Sequence, residues 1–196
     1  MLVLASGSPR RAQILSELRI PFLVDVSGID ETIVSGESAE AAAERLAAAK
    51  ASDVALRHPS SWVLAADTLV DLAGEILGKP RSDAEAGSML RRLSGREHRV
   101  VTAVRLLRGE DPGRGEVAWS AVRFAPLTEE EIAWYVRTGE PADKAGAYAI
   151  QGLGARFVES IDGSFTNVMG LPARAVYRLM TGAGDPFLAT LALSSP

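Results

Sequence analysis

At 196 residues, 47% of them apolar, the chain has the length of one domain and enough apolar material for a substantial core. Its net charge of −4 argues against the broad basic surface that nucleic acid or an anionic membrane requires, so any anion site must be local. The lack of cysteine removes disulfides, thiolate chemistry and Cys-ligated metal, and no apolar run has the length of a membrane span, which leads to the expectation of a soluble, cytoplasmic protein.

The apolar run Leu2-Val3-Leu4-Ala5 reads as a strand and breaks into Ser6-Gly7-Ser8-Pro9-Arg10-Arg11. Ser8 suits an N-cap and Pro9 the first helical position, so a helix is predicted from this point, with Ile14, Leu15 and Leu18 as its apolar stripe. Arg10 and Arg11 in the first turn oppose the helix macrodipole. Either a phosphate supplies the missing negative charge or both side chains extend into water. Phe22 to Val26 reads as a strand and Ser27 to Glu37 as a polar loop carrying Asp30-Glu31. Ser38 caps an alanine-rich helix to about Arg57, on which Leu46, Lys50 and Val54 share one face. Lys50 therefore either snorkels to water or reaches a buried anion.

Trp62 to Ala66 reads as a buried strand, which puts Asp67 at a carboxyl end, where α/β sheets hold ligand-binding groups and where turn-forming aspartates are also common. Thr68 to Leu77 carries a turn at Ala73-Gly74, and Ser82-Asp83-Ala84-Glu85 has the capping-box spacing that opens a helix to about Leu93. His98 to Leu107 and Val117 to Ala125 read as an antiparallel pair joined by a Gly-, Asp- and Pro-rich tip. Thr128 to Glu131 is a second capping box, whose helix stops at Gly139. Glu140 to Pro172 reads as a glycine-rich polar stretch, and Pro172 starts a last helix to about Met180. Helices alternating with strands predict an α/β fold with a mixed sheet, organised as one domain over residues 1–196.

Carboxylates from Asp67 and from Asp30-Glu31 could meet at one sheet edge, and carboxylates beside a triphosphate are the usual way to hold Mg²⁺. Gly74 to Lys79 is not a Walker A loop, because the glycine spacing is one residue short and Pro80 replaces the Ser or Thr that would meet the metal. Lys79 remains a candidate phosphate contact. Neither a G-x-S-x-G elbow nor a dinucleotide fingerprint is present, and His58 and His98 read as structural.

The segments Leu4 to Arg11, Asp30-Glu31, Ala66-Asp67-Thr68, Gly78-Lys79-Pro80, Leu93-Ser94-Gly95 with His98, Asp143-Lys144-Ala145-Gly146-Ala147-Tyr148 into Ile150-Gln151-Gly152, and Asn167 through Gly170-Leu171-Pro172 closely resemble, in this order and spacing, the Maf family of nucleotide pyrophosphatases. The resemblance implies a Maf/ITPase-like α/β domain of two lobes around a mixed, partly antiparallel twisted sheet flanked by helices, with the active cleft between the lobes. It also implies a homodimer, and hydrolysis of a nucleoside triphosphate between its α and β phosphates with a divalent cation, Mg²⁺ or Mn²⁺.

Asp67 matches the family's catalytic aspartate. Arg10, Thr68 and Gln151 match positions that go with base preference, in a set similar to the branch acting on dTTP and UTP. The mechanism that follows places the triphosphate at the start of the first helix, among Ser6, Ser8, Arg10, Arg11, Lys50 and Lys79, with Glu31 and Asp67 on the metal. Two departures stand out: Ala149 replaces a usual glycine two residues before Gln151, and Ala103 follows Thr102 where glycine is common. Rival readings are a phosphohydrolase that removes the terminal phosphate and a nucleotide-binding regulator of cell division without turnover.

Overall fold

The computed structural model describes residues 1–193. Strand β1 (Leu2–Leu4) is fully buried and lies between two parallel neighbours, β2 (Phe22–Val24) and β3 (Trp62–Leu72). A strand covered on both faces has to be apolar throughout, which is why its sequence shows no alternation. Strand β4 (Glu75–Leu77) folds back on β3 through Ala73 and Gly74, both at positive φ (55° and 89°), and Asp71 accepts a hydrogen bond from the Gly74 N–H. The long strands β5 (Glu97–Arg108) and β6 (Arg114–Phe124) continue the sheet antiparallel to β3, and β7 (Val158–Asp162) closes it. The order is β2-β1-β3-β5-β6-β7, so one half is parallel and the other antiparallel.

One face is covered by α2 (Ala39–Arg57). Its small residues, Ala42, Ala43, Ala47 and Ala51, let the helix approach the sheet closely and pack on Val63, Ala65, Leu69, Val101 and Ala103. The opposite face carries the larger core, with Ile14 and Leu15 of α1 (Pro9–Glu17), Leu90 and Leu93 of α3 (Asp83–Leu93), Tyr135 of α4 (Glu129–Arg137) and Val176 of α6 (Ala173–Gly182). Alternation along β3 then divides its polar residues. Asp67 shares the α2 face with Ala65 and Leu69, whereas Thr68 shares the α1 face with Ala66 and Val70.

Three expectations are corrected. The strand thought to end at Ala66 runs on to Leu72, because β5 pairs with it from Trp62 to Asp71. Asp67 is therefore in mid-strand, although it lies just beyond the parallel part, since β1 pairs with β3 only as far as Leu64. The polar stretch after Glu140 contains β7 and the short helix α5 (Phe165–Met169). The register of β6 against β7 shifts between Arg123 and Phe124 and passes over Glu159, so the half-buried Val158 and Ile161 stand three apart, a spacing that hides strand alternation. Beyond Gly184, α7 (Pro186–Leu193) starts where Asp185 accepts the Phe187 N–H at 2.8 Å, and Leu188 is buried against the core.

His98 has the structural role expected. It packs edge-on to Phe124 and Tyr148, and its Nε2 lies 2.9 Å from the Tyr148 hydroxyl. Burial pushes its pKa down to about 4. The folded state thus stays unprotonated where the unfolded chain takes up a proton, so this residue's contribution is intact above about pH 6.5 and is lost as the pH falls toward 4. Thermal midpoints measured across that window are expected to drop by the equivalent of about 3 kcal/mol, and the slope should flatten in His98→Gln. An unchanged slope in the variant would assign the pH dependence to other groups.

Candidate active site

Where β1 stops at Leu4, the chain crosses the top of the sheet and enters α1, and this turn forms one wall of a cleft of about 520 Å³. Ser8 occupies the N-cap position, but its side chain makes no cap hydrogen bond. Ser6, Ser8, Arg10 and Arg11 all line the cleft. Arg11 behaves differently from a free first-turn arginine. Its guanidinium is buried and donates to the Gly170 carbonyl (2.8 Å), Ser6 Oγ (3.0 Å) and Thr68 Oγ1 (3.1 Å). Burial pulls its pKa below the ordinary arginine value, against the opposing charges of Asp67 and Glu31. Arg11 therefore locks the turn to β3 and to the end of α5, and two of its five N–H groups are left for an anion.

Lys50 does not snorkel. Its side chain is 8% exposed, and its Nζ lies 2.6 Å from Asp67 Oδ1 and 2.9 Å from Glu31 Oε1. Asp67 is equally buried, at 7% side-chain exposure. Lys79 approaches the other Glu31 oxygen at 3.8 Å. Partial burial would raise the Glu31 pKa, but the hydrogen bond and charge of Lys50, with Lys79 and Arg11, hold it below the usual carboxylate range.

Glu31 comes from an irregular loop, so its position has to be enforced. At one end Arg57 makes a bidentate pair with Asp25 (2.9 and 3.1 Å), and Asp53 accepts the Gly28 N–H. At the other, Arg45 grips Glu37 at 2.6 and 2.7 Å and donates to the Thr32 carbonyl. All three anchoring residues, Asp53, Arg57 and Arg45, belong to α2, the helix that carries Lys50. Asp30 turns away, its Oδ1 accepting from the Thr32 N–H (3.0 Å) and hydroxyl (2.7 Å), and it is not part of the cleft lining.

The facing wall comes from residues 143–150. Tyr135 and Glu140 shape it: the tyrosine hydroxyl donates to Glu140 Oε1 (2.7 Å) and accepts the Ala149 N–H (3.0 Å), while Glu140 also accepts from Leu153 and Gly154. A methyl group at Gly154 would lie 2.6 Å from the Tyr135 hydroxyl and 2.7 Å from the Ala149 carbonyl. Gly154→Ala is thus expected to cost about 1–3 kcal/mol in urea unfolding. A loss below measurement error would show that this wall is loosely held.

The structure brings Ser6, Ser8, Arg10, Arg11, Glu31, Lys50, Asp67, Thr68 and Lys79 to one cleft. Gln151 is not among its lining residues; it is exposed, one position beyond Ile150, which does line it. Ala149 lines the cleft without a left-handed backbone, so the methyl group that replaces glycine there brings no strain. Sequence reasoning missed roles for Asp143, Lys144 and Tyr148, which also line it. The only signal for them was their place in the resemblance.

Among the described residues no three His, Cys, Asp or Glu side chains converge as a metal cage. The donor set nevertheless suits Mg²⁺, which keeps several waters and takes one or two carboxylates together with phosphate oxygens. Glu31 and Asp67, brought together on one ammonium, are the two carboxylates that would fit such a site.

The family model described as Maf-like protein matches residues 1–183. A dTTP/UTP pyrophosphatase of Myxococcus xanthus is 52% identical over 189 residues, covering 95% of this chain and 94% of that protein. A dTTP/UTP pyrophosphatase of Symbiobacterium thermophilum is 50% identical over 185 residues, covering 94% and 95%. Among solved structures, a HAM1 protein from Coxiella burnetii aligns at 20% identity with a TM-score of 0.44, over 76% of this chain and 87% of that one.

Proposed function

The chain belongs to the Maf family, and we propose that its 196 residues form one domain that hydrolyses dTTP and UTP between the α and β phosphates, releasing the monophosphate and pyrophosphate. The observation that carries this reading is the buried Lys50 joining Asp67 and Glu31 in a cleft that Arg10 and Lys79 also line. Water-activating carboxylates and phosphate-neutralising cations are thereby within reach of one ligand.

In this scheme Glu31 and Asp67 would hold the divalent cation, which would supply charge neutralisation and a more acidic water. Lys50 fixes the Asp67 carboxylate through Oδ1, leaving Oδ2 to orient a water toward the α phosphorus and accept its proton. Lys79 and the remaining N–H groups of Arg11 stabilise the charge that grows on the departing pyrophosphate. Ser6 and Ser8 offer hydroxyl donors beside the start of α1. The base preference goes with Arg10 and Thr68 on the cleft wall and with Gln151 just outside it, whose amide offers both a donor and an acceptor to a uracil or thymine edge that extends past Ile150. We further place the enzyme in the cytoplasm as a homodimer acting on free nucleotides rather than nucleic acid. No helix among the described residues is long and apolar enough to cross a membrane.

The test is a panel of canonical and modified nucleoside triphosphates with Mg²⁺ or Mn²⁺, assayed separately for pyrophosphate and orthophosphate. Pyrophosphate is expected, fastest from dTTP and UTP. Orthophosphate as the first product would overturn the reaction, and faster turnover of a purine nucleotide would overturn the base preference.

A further inference from the structure

Lys144, a cation that the reaction scheme leaves unused, lines the same cleft. Its side chain is only 13% exposed, against 64% for Lys79, so its ammonium is largely withdrawn from water. Its partner is the neighbouring Asp143, a mostly exposed carboxylate that also lines the cleft. Partial burial would raise the Asp143 pKa, but the hydrogen bond and charge of Lys144, with a smaller contribution from the charge of Arg10, hold it below its ordinary value.

The backbone around Lys144 is over-determined. The residue sits between two single 3₁₀ turns, its N–H bonded to the Pro141 carbonyl (3.1 Å) and its own carbonyl accepting from Ala147 (3.0 Å). Ala147 adopts φ 60°, a left-handed conformation unfavourable for alanine, and the Gly146 N–H donates to the Gly78 carbonyl at 3.0 Å. That last bond ties the segment to the residue before Lys79, so Lys144 and Lys79 are carried by adjoining segments that line the same cleft.

We propose that Lys144 is a binding residue for the pyrophosphate half of the substrate, and that Asp143 is a built-in anion that occupies Lys144 until a polyphosphate displaces it. The proposal rests on the pyrophosphatase reading and adds to it which wall grips the leaving group. An ion pair with an exposed carboxylate is weak, whereas a charge-assisted bond to a phosphate oxygen in a partly dehydrated cleft is stronger, so the exchange runs toward the ligand. Release of pyrophosphate lets Asp143 return.

Titration calorimetry of the whole protein with inorganic pyrophosphate, and separately with dTMP, in the presence of Mg²⁺ tests this without turnover. Lys144→Met should weaken pyrophosphate binding by about 10- to 100-fold and leave dTMP binding within about 2-fold, while Lys144→Arg restores most of the loss. Asp143→Asn, which removes the resident competitor, should tighten pyrophosphate binding. Unchanged pyrophosphate affinity in Lys144→Met, equal weakening of both ligands, or weaker pyrophosphate binding in Asp143→Asn would overturn the proposal. Failure of the unaltered protein to release pyrophosphate from dTTP would instead overturn the underlying reading and leave these binding results to stand on their own.

Discussion

Asp67→Asn lowers the turnover of dTTP by at least about 10²-fold, the scale of a lost general base, while the protein stays folded. Asparagine keeps the shape of the side chain and can still accept a hydrogen bond from Lys50, whose charge remains compensated by Glu31 at 2.9 Å. The buried ammonium is therefore not orphaned, and the stability loss should stay within about 1–3 kcal/mol, the range for one altered buried hydrogen bond. Pyrophosphate release read beside the circular-dichroism melting curve separates the two effects. Near-normal turnover would remove Asp67 from the role of base, and loss of the folded signal would make it a structural carboxylate.

The second large effect is Lys50→Met. This substitution leaves the Asp67 carboxylate, with only 7% of its side chain exposed, beside Glu31 with no cation between them. Breaking a buried pair by removing one partner costs about 3–5 kcal/mol. Most of that cost belongs to Asp67, because Glu31 is only half-buried and water screens its share. Urea unfolding should show this loss, together with a collapse of turnover. Adding Asp67→Asn to Lys50→Met should restore much of the stability and none of the activity. A single variant that loses less than about 1 kcal/mol would mean that the lysine behaves as a snorkelling surface residue after all.

The chemistry of this cleft was legible wherever a residue broke the pattern of its surroundings. Lys50 stands in an apolar helical stripe and Asp67 interrupts an apolar strand, and the structure pairs these two anomalies with each other. Arg10 and Arg11 broke the electrostatic rule for a helix start, but their different fates depend on long-range partners. Arg11 turns inward because Thr68 and the Gly170 carbonyl, far along the chain, wait for it, whereas Arg10 keeps its place on the cleft wall.

What stayed hidden was tertiary in origin. The length of β3 is set by its pairing with β5, and a polar residue in mid-strand looks locally like a strand end. Strand β7 is disguised by a register shift, and the wall that carries Lys144 is shaped by Glu140 and Tyr135 rather than by any local periodicity. Gln151 was legible only through the resemblance, and it lies outside the lining residues of the cleft.

The central claim is that Asp67 and its partners direct a water at the α phosphorus and expel pyrophosphate. A single-turnover reaction with dTTP in ¹⁸O-labelled water, with both products resolved by mass spectrometry, tests it most directly. The label is predicted in dTMP, with unlabelled pyrophosphate. Label in the pyrophosphate, which requires attack at the β phosphorus, would contradict the account.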